Sequence, residues 1–424
     1  MGGGEVVIVL IHLLLLVVFT NRYILGMLLQ RVRHRVFEER DDTWRPTVCV
    51  VVPMFNEGRS IGGTLQSLLQ SDYPSDLLEI IVVDDCSTDD SHAWAQKAAV
   101  GHPNVSVLRN PQNMGKRRGI NRAVRQTQAE IVVSVDSDVV VAPDAIRQLI
   151  ARFVSPRIAA VGGRVNILNR NENWLTRMQT IKYYFGYEYL KNLERTFRTV
   201  MCLSGCLTAY RRQVLIDLEP ILEDRRMLGV SIKYGEDRFL TRQIVKAGHQ
   251  TVMTLDAVCH TRAPATIRDY FSQQLRWRRS NLVDYFGGIT HVWRLHPAVA
   301  IHYSCLGAML LAYPAFIVHA LANGGFWQAA ALHVGVVALF GAVYRFETRK
   351  WPESERVPAA SFLAMAVVMP VTYLMMTPLA LFTLDSGSWE TRGHETQPKQ
   401  VLQEEVQRDR GRTMVGDEPG VQSA

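Results

Sequence analysis

The stretch "LEIIVVDDCSTDD", residues 78–90, decides the fold. A β-branched run, Ile80–Val83, ends on two carboxylates and a cluster of turn-forming residues. That pattern is a buried strand opening into a polar loop. The same theme stands before it in "TVCVVVPMFNE" (47–57) and after it in "EIVVSVDSDVVV" (130–141). Helical spacing fills the intervals: "SIGGTLQSLLQS" (60–71), "AWAQKAAV" (93–100) and "KRRGINRAVRQT" (116–127), with one more strand in "VSVLRN" (105–110). Strand and helix in alternation predict an α/β domain, a mostly parallel sheet with helices on both faces. Such sheets bind ligands beyond the carboxyl ends of their strands, and the acidic clusters fall there. No GxGxxG follows the first strand, which argues against a dinucleotide oxidoreductase.

The domain shares its chain with membrane segments. The 424 residues are 48% hydrophobic yet 21% charged, a mixture expected of a membrane protein with a sizeable soluble part. "VVIVLIHLLLLVVFT" (6–20) and the apolar residues after it are long enough to span a bilayer, so 1–30 reads as a transmembrane helix. "RVRHR" (31–35) follows it, which predicts an outside N-terminus and a cytoplasmic soluble domain in a multi-pass plasma-membrane protein. Residues 46–260 then hold no spanning run; 264–290 read as amphipathic interfacial helices and 297–345 as a membrane hairpin turning at "NGG". The apolar segment 357–384 carries Pro358, Pro370 and Pro378. Hydropathy alone favours a crossing there, which would place "SWETRG" (388–393) outside. The tail 394–424 is polar and expected to be disordered. Net charge is +7, but no basic tract interleaved with aromatics and no zinc-finger spacing supports a nucleic-acid partner; anionic lipid or an anionic substrate accounts for the charge. The six cysteines lack paired metal-site spacing and read as free thiols.

Four constellations carry chemistry. Asp84 and Asp85 close the strand at the ligand edge, where carboxylates suit a nucleobase and ribose; Ser87–Asp90 serve equally as helix-capping residues. Asp136 and Asp138 stand two apart after "IVVSV", so continued strand geometry would point both into one cleft. Their repulsion calls for a cation, and hard oxygen donors suit Mg²⁺ or Mn²⁺ shared with a diphosphate. Lys116, Arg117 and Arg118 open a helix, where cations oppose the helix dipole unless an anionic ligand offsets it. Glu236 and Asp237 open another helix, either as favourable N-terminal charge or with one as a catalytic base. In "QQLRWRRS" (273–280), Gln273, Arg276 and Trp277 share one helix face, a platform for a sugar ring; the other reading is an amphipathic helix on the membrane surface with Arg276, Arg278 and Arg279 near lipid headgroups.

Taken in order, "DDCSTDD", "GKRRG", "DSD", "CLSGCLTAYRR", "GEDRFLT", "QQLRW" and "SWETRG" resemble the processive family-2 glycosyltransferases with a GT-A catalytic domain. The likeness is to hyaluronan synthases and nodulation-type chitin-oligosaccharide synthases, and it runs from about Pro46 to Gly393. It implies that Asp84 and Asp85 hold uridine with Pro53, Phe55 and Glu57, and that Lys116, Arg117 and Asp136 meet the nucleotide. It makes Asp138 the metal ligand and Asp237 the base, and puts Ser204, Gly205, Cys206, Gln273, Arg276 and Trp277 around the acceptor. Trp389, Thr391 and Arg392 look like a nucleotide-contacting gating loop at 386–393, with Glu390 where glycine is usual. A gating loop must share the cytoplasm with Asp138, so 357–384 becomes an interfacial or re-entrant segment rather than a crossing. The implied activity is inverting polymerisation of a β-linked, N-acetylglucosamine-containing polysaccharide, of hyaluronan or chitin type. UDP-N-acetylglucosamine is the expected donor, joined by UDP-glucuronate in the hyaluronan case, and the growing polysaccharide and the lipid bilayer are the other partners. Two rivals stand beside this reading: a non-processive membrane glycosyltransferase, and a non-catalytic membrane protein that only binds a nucleotide sugar.

Overall fold

The computed structural model describes residues 39–385, except 224, 228, 233 and 354, together with isolated positions 6 and 10. The expected N-terminal helix (1–30), the motif at 386–393 with Trp389, Thr391 and Arg392, and the tail 394–424 lie outside the described residues.

The β-branched runs become the centre of the sheet. β1 (Val48–Met54) is buried along its whole length, and β2 (Leu78–Asp84) and β4 (Ile131–Val135) flank it in parallel. Burial of each such valine or isoleucine contributes about 1.5–3 kcal/mol. β3 (Val105–Arg109) extends this parallel half. Helices α1 (Ser60–Leu69), α2 (Ser91–Ala99) and α3 (Lys116–Gln126) connect the strands. Beyond β4 the sheet turns mixed. β5 (Val140–Val141), α4 (Ala145–Ile150), β6 (Ile158–Ile167) and α5 (Trp174–Phe185) come next. A π-helical turn (Gly186–Leu190), α6 (Lys191–Thr196), β7 (Leu207–Arg211) and α7 (Arg212–Glu223) follow. β7 runs antiparallel between β4 and β6, and with β10 (Gln250–Thr261) the eight-stranded order is β3-β2-β1-β4-β7-β6-β10-β5. The parallel pattern expected from the sequence therefore holds for β1 to β4. The strand carrying the SGC loop enters from the opposite direction.

The remaining elements assemble on the far side. A small hairpin, β8 (Arg226–Met227) and β9 (Val230–Ser231), leads to α8 (Glu236–Lys246) and β10 (Gln250–Thr261). The amphipathic segment is a single helix, α9 (Ile267–Gly288). Three apolar helices follow: α10 (Pro297–Ala322), α11 (Phe326–Glu347) and α12 (Met365–Phe382), the last preceded by a 3₁₀ turn, Ala359–Ala364. All three are long and apolar enough to cross a membrane by length and composition. α10 and α11 form the expected hairpin. α12 is continuous through Pro370 and Pro378.

Both flanks of α12 touch the catalytic side. Val357 N donates to Tyr344 Oη at 3.4 Å, and the Tyr344 ring packs on Tyr184 of α5. At the other end, Leu384 O accepts from Tyr234 Oη at 3.0 Å, and Thr383 Oγ1 accepts from Arg279 Nε at 3.0 Å. Between these flanks α12 lies along α9 and α10: Arg278 sits 3.8 Å above the Tyr373 ring, and Tyr373 meets Tyr313 edge-on. The headgroup-facing arginines expected on α9 are thus partly corrected. Arg278 is buried under α12, whereas Arg276 and Arg279 stay partly exposed and Arg279 is tied to the end of α12.

Candidate active site

The first two loops at the sheet edge are stitched together by backbone donors. Ser91 Oγ accepts from Glu57 N and Gly58 N, and Asn56 Oδ1 accepts from Thr88 N. Asn56 and Cys86 hold positive φ, 52° and 65°, at the tight returns these bonds require. Glu57 is buried; its Oε1 accepts from Ser137 Oγ at 2.9 Å, which ties the Phe55–Glu57 loop to the DSD loop. Pro53 lies within β1, beside Val83 of β2.

Asp84 and Asp85 are both buried and already engaged. Asp84 Oδ1 accepts from Ser87 N; Oδ2 lies 3.1 Å from His92 Nδ1 and 3.4 Å from Arg109 Nε. Asp85 accepts from Met114 N, Gly115 N and Asn110 Nδ2, all within 2.8 Å. Asp85 therefore holds the loop that delivers Lys116. A sequence cannot distinguish a carboxylate facing a ligand from one holding the neighbouring loop.

Lys116 is the hub. Its Nζ lies 2.6 Å from Asp136 Oδ1 and 3.0 Å from Glu236 Oε1. The three side chains remain 16%, 28% and 24% exposed, so the cleft is open to a ligand. Burial would lower the Lys116 pKa, but Asp136 and Glu236 outweigh it and hold the ammonium well above the usual lysine value. Asp136 and Asp138 lie past the end of β4, where strand geometry has stopped. They do not face the same partner: Asp136 meets Lys116, while Asp138 Oδ2 accepts from Thr261 Oγ1 of β10 at 3.3 Å. Arg117 turns aside, donating to Ile232 O and Glu223 O.

The SGC loop closes over this hub. Gly205 N donates to Asp237 Oδ2 at 3.3 Å. A Cβ at Gly205 would lie 3.0 Å from Lys116 Nζ and 3.7 Å from both Asp136 Oδ1 and Asp237 Cβ. Lys116, Asp136, Asp237 and the 204–206 loop thus converge, as their spacing in sequence alone could not show. Burial, then the Glu236 charge, raises Asp237 above the ordinary aspartate range, against the pull of Lys116. Burial also acts to raise Glu236, but Lys116 overrides it and keeps Glu236 low. Two adjacent carboxylates are thus driven apart, one toward a base and one toward a permanent anion. Glu236 is a site residue that the reading of the motif left aside, although the acidic doublet was its visible signal.

On α9, Gln273 is buried and its Nε2 has no hydrogen-bond partner among the described residues. The Trp277 ring lies 6.4 Å from Tyr183, which lies 6.4 Å from Tyr187. Lys182 Nζ is 5.8 Å from the Trp277 ring centre. Tyr183 and Tyr187 were not foreseen, because the π turn that brings Tyr187 inward has no sequence period of its own. Ser204 Oγ accepts from Cys206 N, and all six cysteines are free thiols. Burial pushes the Cys202 thiol up to about 11, so it is inert at neutral pH.

A family model described as "Glycosyltransferase like family 2" matches residues 46–280. The chain is 30% identical to an N-acetylglucosaminyltransferase of Bradyrhizobium diazoefficiens, over 82% of this chain and 72% of that protein. It is 30% identical to an N-acetylglucosaminyltransferase of Rhizobium meliloti, over 82% of each. Among solved structures, a mannosyltransferase from Pyrobaculum calidifontis, in complex with GDP-Man and Mn²⁺, superposes with a TM-score of 0.59 at 21% identity. The match covers 91% of this chain and 100% of that one, and at this identity it speaks to the GT-A fold.

Proposed function

The chain belongs to glycosyltransferase family 2, and from that premise we propose that it is a membrane-embedded, inverting, processive enzyme. It polymerises a β-linked N-acetylglucosamine-containing polysaccharide from UDP-N-acetylglucosamine and passes the chain toward the bilayer. The observation that carries the reading is the convergence of Lys116, Asp136, Glu236 and Asp237 beneath Gly205. The names of the rhizobial relatives favour N-acetylglucosamine as the transferred sugar.

The mechanism follows from these side chains. Lys116, presently shared by two carboxylates, offers its ammonium to the diphosphate of the incoming donor. The acceptor sugar lies against Trp277, with Gln273 Nε2 free to donate to it. Its hydroxyl points at Asp237, which burial and the Glu236 charge make a stronger base than an ordinary aspartate. As the acceptor oxygen attacks the anomeric carbon, Asp237 takes the proton and the bond to UDP breaks with its electron pair on the leaving diphosphate. Attack from the face opposite the leaving group turns an α-linked donor into a β-linked product.

Asp138 fits a divalent ion. It is a hard carboxylate, partly exposed at the sheet edge. Among the described residues no group of three or more His, Cys, Asp or Glu could form a protein cage. Mg²⁺ or Mn²⁺ held mainly by substrate phosphates needs no such cage, and it would supply charge neutralisation to the departing diphosphate.

The test is synthesis by purified, lipid-reconstituted protein with each radiolabelled donor alone and then both. Incorporation from UDP-N-acetylglucosamine alone is expected. Strict dependence on UDP-glucuronate as well would replace a chitin-type product by a hyaluronan-type one.

A further inference from the structure

One stripe of α9 serves two neighbours. Gln273 and Trp277 form its acceptor-facing part; Ser280, Asp284 and Gly287 continue the stripe at helical spacing. Ser280 packs against Gly235, the residue before the acidic doublet. Gly235 holds φ +66°, and a Cβ there would lie 2.0 Å from Ser280 Oγ. Asp284 is fully buried. Its Oδ1 accepts from Arg242 Nε at 2.7 Å, and its Oδ2 lies 3.9 Å from Arg238 Nη1. The same Oδ2 accepts from Tyr303 Oη of α10 at 2.9 Å. Gly287 leaves room for the Arg242 guanidinium and Gly288 for the Tyr303 ring; a Cβ would come within 2.7 Å and 2.4 Å of them.

Arg238 and Arg242 stand four apart on α8, and Arg238 directly follows Asp237. On its other face, the first turn of α8 is tied to the SGC loop: Asp237 accepts from Gly205 N, and Thr241 Oγ1 accepts from Leu203 N. We infer that Asp284 is a positioning residue. Through Arg238 and Arg242 it fixes Asp237 against the acceptor platform carried seven residues earlier on the same helix, about 10 Å along its axis. Through Tyr303 it ties that spacing to the first of the three apolar helices. The inference rests on Asp237 acting as the base.

A pair that merely held the fold together would lower the amount of active protein and leave the chemistry of each folded molecule unchanged. A positioning residue has a different signature. Donor binding stays intact, while water competes better with the displaced acceptor.

Tyr303→Phe is the clean variant, because it keeps the ring and removes only the hydroxyl. The expected result is a KM for UDP-N-acetylglucosamine within about twofold of the parent and a kcat for sugar transfer down at least about fivefold. Donor hydrolysis per transfer event should rise. Asp284→Asn should move all three readouts further in the same direction. Unchanged transfer and an unchanged hydrolysis-to-transfer ratio in both variants overturn the inference. So does a loss of transfer and hydrolysis in equal proportion. Asp237→Asn, run alongside, separates the two layers. Polymer made by that variant sinks the base assignment and the positioning with it. A silent Asp237→Asn beside unaltered Tyr303→Phe and Asp284→Asn sinks the positioning alone.

Discussion

At the scale of single residues, the account turns on Asp237. Its carboxylate has Gly205 N and its own neighbour's backbone, Arg238 N, as donors. Neither is a side-chain cation in direct contact, so a proton can be taken up. General bases typically contribute a factor of 10²–10⁴, roughly 3–5 kcal/mol of barrier. Asp237→Asn is therefore expected to bind UDP normally and to lose polymer synthesis by at least about a hundredfold, read by calorimetry and radiolabel incorporation. The pH dependence has a fixed sign. The base works only when ionised, and its pKa is raised, so activity falls as pH drops through a value above the ordinary 3.8. Glu236→Gln removes one of the raising charges and should move that acid limb to lower pH. Full activity in Asp237→Asn would end this assignment. Residue types were legible here, since each carboxylate and cation of the cleft stands in a motif that can be quoted from the chain. Their partners were not. Whether Asp85 faces a ligand or holds Gly115 depends on a loop that returns thirty residues later.

At the scale of elements, the strands were readable because β-branched runs bounded by acidic turns have few other solutions. The direction of β7 was not, because "CLTAYRR" looks the same entering the sheet from either end. α12 shows the limit most clearly. Its hydropathy marks a membrane-crossing helix, and three prolines argued for something irregular. The helix is continuous, yet both of its flanks contact the catalytic side, at Tyr344 with Tyr184 and at Tyr234. We propose that α12, a single rod about 27 Å long, lies along the membrane interface rather than crossing it, which leaves residue 385 on the face that carries Asp138. A cysteine placed at position 385 in an otherwise cysteine-free chain should be labelled by an impermeant maleimide in inverted vesicles and protected in intact cells. Labelling from the outer face of intact cells would make α12 a true crossing and remove Trp389 and Arg392 from the nucleotide.

At the scale of the whole molecule, the GT-A domain meets α9 through Gly235, Arg238 and Arg242. The apolar helices α10 and α12 also pack on α9, with Tyr303, Tyr373 and Thr383 as the contacts. Sequence patterns located both halves but could not show that one amphipathic helix is the seam between them. In the processive reading proposed above, the product leaves past this seam toward the membrane while the donor site reloads. The direct measurement is the product length distribution made by purified, reconstituted enzyme from UDP-N-acetylglucosamine at low turnover, before product can be rebound. The account predicts long or multiply extended β-linked chains while most enzyme molecules have released none. Products confined to a single added sugar would contradict it.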